Sequence, residues 1–274
     1  MENVRAKKSL GQNWLKSESA IKEIVKAGEI KPGDWVLEIG PGRGVLTQAL
    51  LLAEARVVAA EKDDRLIDFL HEKFAEEIKA GKLILIHDDI LNIDFSVGWK
   101  SKAEPYKLIA NIPYYITGQV IRKFLSEEEL QPSLMVLMVQ KEVARRIVAS
   151  DNKESILSMS VKVYGEPKYI KTVPAGAFEP KPNVDSAILQ IKNISRDFFL
   201  AKKDLLEGDG EEISEANFFK ILKKGFAQKR KLLKGNLGVG EETLINCKIS
   251  PNARAEDLAL ENWQCLTREM GKIS

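Results

Sequence analysis

Short apolar runs alternate with segments of helical period along the first 190 residues. Apolar stretches at 35–39, 57–60, 83–86, 107–110 and 134–139 predict strands, and amphipathic segments near 20–27, 45–53, 65–78, 118–125 and 142–149 predict helices. The strands are apolar throughout rather than alternating, as expected when both faces of a parallel sheet are covered. Strand followed by helix, repeated, predicts an α/β, doubly wound sheet. Two further strands, at 169–173 and 186–191, flank the proline-rich "AFEPKPNVD" with no long helix between them. They are expected to pair antiparallel at one edge, because a parallel crossover needs a longer connection.

Beyond residue 195 the pattern changes. "EGDGEEIS" (207–214) reads as an acidic, glycine-rich linker, and "EANFFKILKKGFAQKRKLLKGNL" and "EDLALENWQCLTREM" read as helical. The expected division is an α/β domain over 1–195 and a small all-helical domain over 196–274. No internal repeat is present.

Composition sharpens this picture by exclusion. At 274 residues, 44% hydrophobic and 30% charged, the chain has the balance of an ordinary globular protein that buries a core. It has no run near 18 apolar residues, and its first 15 residues are basic and polar, so neither a membrane span nor a secretion signal is expected. The expected location is the cytoplasm. Cys247 and Cys265 lack metal-ligand spacing and are expected to stay as free thiols in a reducing compartment. With only His71 and His87, neither a metal site nor a Ser-His-Asp triad is expected. Net charge is only +2, yet four cations without an acid lie between Asn3 and Ser17 (Arg5, Lys7, Lys8, Lys16) and seven between Lys220 and Lys234. Local basic stripes of this kind are how a nearly neutral protein grips a phosphate backbone, although a solvated face reads the same way.

Candidate chemistry begins at "LEIGPGRGVLT", where Gly40, Gly42 and Gly44 stand at a strand-to-helix turn. Glycines there permit tight turning and let a ligand approach the backbone. The dinucleotide fingerprint would need a glycine at 45, and this chain has Val45, which weakens a nicotinamide reading. Glu61 ends the second strand about 20 residues further on, where an acid accepts from both ribose hydroxyls. Asp89 in "HDDIL" follows the third strand, placed to receive an adenine amine, while His87 and Asp88 beside it are expected to be structural or solvated. With Glu38, these carboxylates gather at the carboxyl edge of the sheet, where ligands bind in open α/β folds. They suit a cationic ligand better than a pyrophosphate, and S-adenosylmethionine carries a sulfonium and an ammonium but no phosphate.

At the end of the fourth strand stands "LIANIPYYIT". The lone pair of an adenine amine is delocalised into the ring, so the nitrogen is a poor nucleophile. Two acceptors, the Asn111 side-chain oxygen and a backbone carbonyl held by the rigid Pro113 turn, can bond both N–H hydrogens and favour a nucleophilic geometry. Tyr114 supplies a face on which a flipped base can stack, and Phe178, on the proline-braced "FEPKPNVDS", is expected to close the other face. Tyr115 is expected to pack in the core.

"KKSLGQNWL", "LEIGPGRGVLT", "NIPYYIT", "FEPKPNVDS" and "FAQKRKLLKGNL" together resemble the successive motifs of the ribosomal RNA adenine N6,N6-dimethyltransferases, from about residue 6 to about 270. The resemblance implies a Rossmann-like class I S-adenosylmethionine-dependent methyltransferase sheet with a helical C-terminal domain. It implies a donor site of Asn13, Leu15, Gly40, Glu61, Asp89 and Asn111, with Tyr114 and Phe178 as base-clamping aromatics. Trp14 stands where such proteins more usually have phenylalanine, and Ser17 and Ser19 where an acid is common. The implied substrate is a pair of adjacent adenosines near the 3′ end of small-subunit (16S) ribosomal RNA, methylated by a monomer. Open alternatives are a large-subunit adenine methylase of the antibiotic-resistance type, a non-catalytic ribosome-assembly factor and, less well matched, an oxidoreductase.

Overall fold

A computed structural model describes residues 5–7, 10–93, 105–200 and 213–271. Its strands are β1 (Trp14–Leu15), β2 (Trp35–Ile39), β3 (Arg56–Glu61), β4 (Leu83–His87), β5 (Tyr106–Asn111), β6 (Leu134–Gln140), β7 (Glu166–Val173), β8 (Phe178–Glu179) and β9 (Ser186–Lys192). Seven of them form one sheet in the order β4-β3-β2-β5-β6-β9-β7. The pairs from β4 through β6 are parallel, whereas β9 runs antiparallel to β6 with Leu134 opposite Lys192. The two late strands thus occupy one edge, as their short connection requires. β1 pairs antiparallel with β8 outside this sheet, Leu15 facing Phe178.

The helices are α1 (Glu18–Ala27), α2 (Val45–Leu52), α3 (Asp64–Lys73), α4 (Ala75–Lys79), α5 (Thr117–Arg122), α6 (Lys141–Val148), α7 (Ile156–Lys162), α8 (Glu215–Gly225), α9 (Leu233–Leu237), α10 (Glu241–Asn246) and α11 (Leu260–Gly271). Among the described residues, no helix is long and apolar enough to cross a membrane. The single helix expected over 65–78 is broken at Phe74, whose buried ring lies where a Cβ on Gly44 would fall, 2.4 Å from Phe Cε2. Ser17 caps α1 by accepting from the Ala20 N–H, so the serine at this position serves as a helix start.

Alternation along the strands decides what each face receives. Val36, Val57, Ala59, Leu83, Ile109, Val136 and Met138 share a buried cluster with Ile24 of α1, Leu46 and Leu50 of α2 and Leu66 and Leu70 of α3. Residues two further along three of these strands are Glu38, Glu61 and Asn111, on the same face at the carboxyl end.

The chain divides into two compact units, one running to Ala144 and resuming at Pro167–Ile194, the other combining Arg145–Glu166 with the chain from Ser195 onward. The division differs from the expected one at Arg145–Glu166. That segment is bound into the helical unit by the Glu154 N–H, which donates to the Glu256 carbonyl at 2.9 Å, and by the Lys153–Glu256 ion pair. The core of the helical unit is aromatic: Phe198, Phe199 and Phe218 meet edge to face, and Phe226 stacks on the fully buried Trp263. Gly225 is obligatory there, since a Cβ would fall 2.4 Å from the indole.

Two expectations fail here. Cys247 and Cys265 are not free thiols but form a disulfide, their Cα atoms 5.5 Å apart, because α11 brings Cys265 back beside the end of α10. The basic run expected as helix is interrupted between Gly225 and Leu233, so Lys229, Arg230 and Lys231 lie in the exposed connection between α8 and α9. Most of the expected linker, and Lys8 of the basic lead, lie outside the described residues.

Candidate active site

A cavity of about 370 Å³ opens at the carboxyl ends of β2, β3, β4 and β5. Asn13, Leu15, Gly40, Glu61, Asp89, Asn111 and Tyr114 all line it, together with Glu38, Asp88 and Tyr115. Phe178 does not. It is 2% exposed, packed in the core cluster opposite Leu15, which overturns the premise that an aromatic on this proline-rich loop stays out of the core. The loop is long enough to fold back, and pairing of β1 with β8 buries the ring beneath the N-terminal lead. Tyr115 departs from expectation in the opposite sense: it is 61% exposed at the cavity rim, not packed in the core.

The wall nearest the glycine turn is acidic. Gly40 adopts φ +64° and a Cβ built on it would meet nothing within 4 Å, so both conformation and space leave this backbone open to a ligand. Glu61 Oε2 accepts from the Gly42 N–H at 3.1 Å, and Oε1 accepts from the N–H groups of Lys62 and Asp63, both at 2.9 Å. Burial nevertheless raises its pKa above the usual carboxylate value, against the pull of those three donors. Glu38 is 1% exposed, its Oε2 has no hydrogen-bond partner among the described residues, and burial pushes its pKa up to about 8, with the Glu61 charge adding to the rise. Asp89 behaves differently. Burial acts to raise its pKa, but the Lys62 ammonium at 2.7 Å and the Leu91 N–H at 3.0 Å hold it below the ordinary value.

The opposite wall is assembled from distant parts of the chain. Asn111 Nδ2 donates to the Asn13 carbonyl at 3.1 Å. A carbonyl can only accept, so this contact fixes which end of the amide is nitrogen and leaves Oδ1 an acceptor with no donor among the described residues. The Tyr114 hydroxyl shares a 2.7 Å hydrogen bond with Ser186 Oγ, tying the "NIPY" turn to the last residue of "FEPKPNVDS". Burial raises the Tyr114 pKa, so the phenol stays neutral.

The lead carrying Asn13 is itself fastened. Gln12 Nε2 donates to Asp63 Oδ2 at 2.8 Å, and the Arg65 guanidinium donates to both oxygens of the same carboxylate at 2.9 and 2.6 Å. That pairing drives the Asp63 pKa down to about 2, so the anchor is charged at any physiological pH. Arg65 also donates to the Arg5 carbonyl, while the Arg43 guanidinium stacks 4.0 Å from the Trp14 ring. Sequence reasoning passed over Gln12, Asp63, Arg65 and Ser186. Asp63 alone carried a signal, an aspartate immediately before a helix, and it caps α3 by accepting from the Arg65 N–H. His87, beside the cavity, bonds to Asp64 and does not line it.

A family model described as ribosomal RNA adenine dimethylase matches residues 3–272. A protein named ribosomal RNA small subunit methyltransferase A from Dehalococcoides mccartyi is 41% identical over 274 residues, covering 97% of this chain and 89% of its own. Proteins of the same name from Lactobacillus acidophilus and from a Nostoc species are 38% and 36% identical, with 97% and 98% of this chain covered and 92% and 99% of theirs. Among solved structures, a dimethyladenosine transferase from Plasmodium falciparum superposes with a TM-score of 0.74 at 25% identity, over 94% of this chain and 97% of that one. The 23S rRNA methyltransferase ErmE superposes with a TM-score of 0.71 at 24% identity, over 94% and 100%, a likeness of fold.

Proposed function

The chain belongs to the ribosomal RNA adenine dimethylase family, and on that premise we propose that it transfers methyl groups from S-adenosylmethionine to N6 of two adjacent adenosines near the 3′ end of small-subunit (16S) ribosomal RNA, two to each. It acts as a monomer in the cytoplasm. The observation that carries the reading is the amide of Asn111, held by the Asn13 carbonyl so that its oxygen is the free acceptor of the cavity wall. The relatives at 36–41% identity are named for the small subunit, which favours that substrate over the large subunit named for ErmE.

The cavity residues fit the donor. Gly40 offers open backbone, Glu61 and Asp89 offer acceptors for hydroxyl and amine hydrogens, and the unpartnered Oε2 of Glu38 is a counter-charge for a cation once the carboxyl ionises. S-adenosylmethionine, when bound, supplies an electrophilic methyl on a sulfonium. Asn111 Oδ1 and the carbonyl at the Pro113 turn accept the two N–H hydrogens of the target amine, holding its nitrogen in line with that methyl. With S-adenosylmethionine bound, the nitrogen would gain positive charge as it took the methyl and the neutral thioether left, and Asn111 Oδ1 and the Pro113-turn carbonyl would stabilise that charge. No strong base is required, because the proton leaves to water after transfer and the departing thioether is neutral. Tyr114 stacks on the target adenine, its ring steadied by Ser186. Phe178 reaches the base only if β1 and β8 separate, so its role in clamping is secondary to its packing. Lys229, Arg230 and Lys231, exposed between α8 and α9, are the RNA-gripping residues of the helical unit.

The test uses labelled S-adenosylmethionine with unmethylated small and large subunits in separate reactions, followed by nucleoside mapping. Dimethyladenosine in the small-subunit RNA alone is expected. Label confined to the large subunit, or absent from both, overturns the proposal.

A further inference from the structure

Tyr115 is an aromatic ring that the chemistry above leaves unused. It is 61% exposed, it stands on the rim of the cavity four residues from Asn111, and its neighbours in the turn are half-buried or buried. Single exposed aromatics are ordinary on protein surfaces, but this one is supported. Gly11 lies against the ring: a Cβ there would fall 3.1 Å from both Cδ1 and Cε1 of Tyr115 and 3.4 Å from Pro113 Cβ, and Gly11 itself has φ +61°. The positive φ favours glycine at that place and the space beside the ring is tight, so the lead segment lies against the tyrosine without covering it.

Resting on the function proposed above, we propose that Tyr115 is a second stacking platform that takes the nucleobase next to the target adenine. Tyr114 and Tyr115 are successive residues of a 3-10 turn (Tyr114–Ile116), in which neighbouring side chains diverge by about 120°. The two rings therefore cannot serve one slot. Tyr114, held by Ser186, faces the wall, and Tyr115 is left on the rim, where a strand that has delivered one base inward leaves the next. The donor's adenine is the competing occupant. Its acceptor, Asp89, follows β4, and the order β4-β3-β2-β5 puts three strand spacings, about 14 Å, between the ends of β4 and β5. Tyr115 follows β5, at the transfer end, while its hydroxyl acts on the Lys62 ammonium that holds Asp89, so donor affinity is the measurement that separates the two occupants.

The test compares wild type with Tyr115→Leu, which keeps bulk and removes the π face, and Tyr115→Phe, which keeps the face. On unmethylated small subunits, Tyr115→Leu is expected to raise KM by about 5- to 150-fold, the value of one stacked base, with kcat within a few-fold and donor affinity by calorimetry unchanged. Tyr115→Phe should restore the wild-type KM. A single-stranded RNA with 2-aminopurine beside an adenosine reports the contact directly: wild type and Tyr115→Phe should quench its fluorescence, and Tyr115→Leu should not. Reduced donor affinity with an unchanged KM would place the ring over the donor and overturn the proposal. Equal quenching by all three proteins, or by none, would overturn it as well. Failure of wild type to methylate small subunits would sink the function reading while the quenching still decides Tyr115.

Discussion

Glu61 and Asp89 reach the cavity from the last residue of a strand and from the turn just after one, and the hydrogen bonds that hold them come from residues at most 27 positions away. Asn111 is held by a residue 98 positions away, Tyr114 by one 72 away, and the lead that supplies the Asn111 partner is bound to Asp63 from 51 away. The donor wall is therefore a local product of strand ends and a glycine turn, whereas the target wall exists only when the lead, the "NIPY" turn and the "FEPKP" loop close on one another. One consequence is that a single core substitution remote from the chemistry can dismantle the target wall and leave the donor wall standing.

Phe178→Ala is the largest such break. Removing a phenylalanine this buried costs about 3–5 kcal/mol of stability, and the strand pairing of Leu15 with Phe178 is what keeps the lead in place. Denaturant unfolding should show that loss, with a drop in transfer larger than the drop in donor affinity. Stability within 1 kcal/mol of wild type would mean that the ring leaves the core easily, and would return it to the role of a mobile base clamp. Asn111→Ala comes next. Losing a preorganised polar group at the reacting centre costs about 10²–10³-fold in kcat, while donor affinity measured by calorimetry should weaken by less than tenfold, since Gly40, Glu61 and Asp89 remain to hold the donor. Near wild-type dimethylation by this variant would remove Asn111 from the chemistry.

The same division explains what was legible in the amino-acid sequence. The five parallel strands were readable because each is a mostly apolar run, broken only by Glu38 in β2 and Lys107 in β5 apart from their ends, and Glu61 and Asp89 were placed by their distance from those runs. Asn111 and Tyr114 were found through the unusual sequence "NIPYY" at a strand end. The burial of Phe178 and the exposure of Tyr115 were not readable, because both depend on where the lead crosses the sheet, and a two-residue strand such as Trp14–Leu15 leaves no periodic signal. The disulfide between Cys247 and Cys265 was hidden for a like reason, since pairing depends on how α10 and α11 pack. The basic stretch after α8 read as helix by composition, yet α8 ends at Gly225, against whose bare Cα the Trp263 indole packs, and the chain is not helical again until α9.

A smaller effect probes the donor wall alone. Glu61→Ala removes an acceptor for two hydroxyl hydrogens and should weaken donor binding by about 2–3 kcal/mol, in the range for hydrogen bonds to a charged group. Because Oε2 also holds the Gly42 N–H, some of the loss comes from a loosened glycine turn. Glu61→Gln separates the two contributions: it keeps an acceptor for Gly42 and loses the charge. If donor affinity survives in the alanine variant with the fold intact by circular dichroism, Glu61 does not contact the donor.

The last effect concerns Glu38, and it appears only as pH changes. Its carboxyl is buried with one oxygen unpartnered among the described residues, and its pKa stands near 8 against 4.5 for the ordinary group. A folded-state pKa raised above the unfolded one means that the folded protein binds the extra proton between those values. The stabilisation is then complete below about pH 4.5 and is lost progressively as pH rises to about 8, by up to about 1.4 kcal/mol per pH unit. Glu38→Gln, which mimics the protonated acid, should abolish this component: the stability difference between variant and wild type should move in the variant's favour from pH 5 to pH 8 and level off above it. Parallel pH profiles for the two proteins in urea unfolding would show that Glu38 is ionised in the folded state without the donor. The acidic wall would then carry its full charge before any cation arrives, and donor affinity would lack the rise with pH that a proton-holding Glu38 demands.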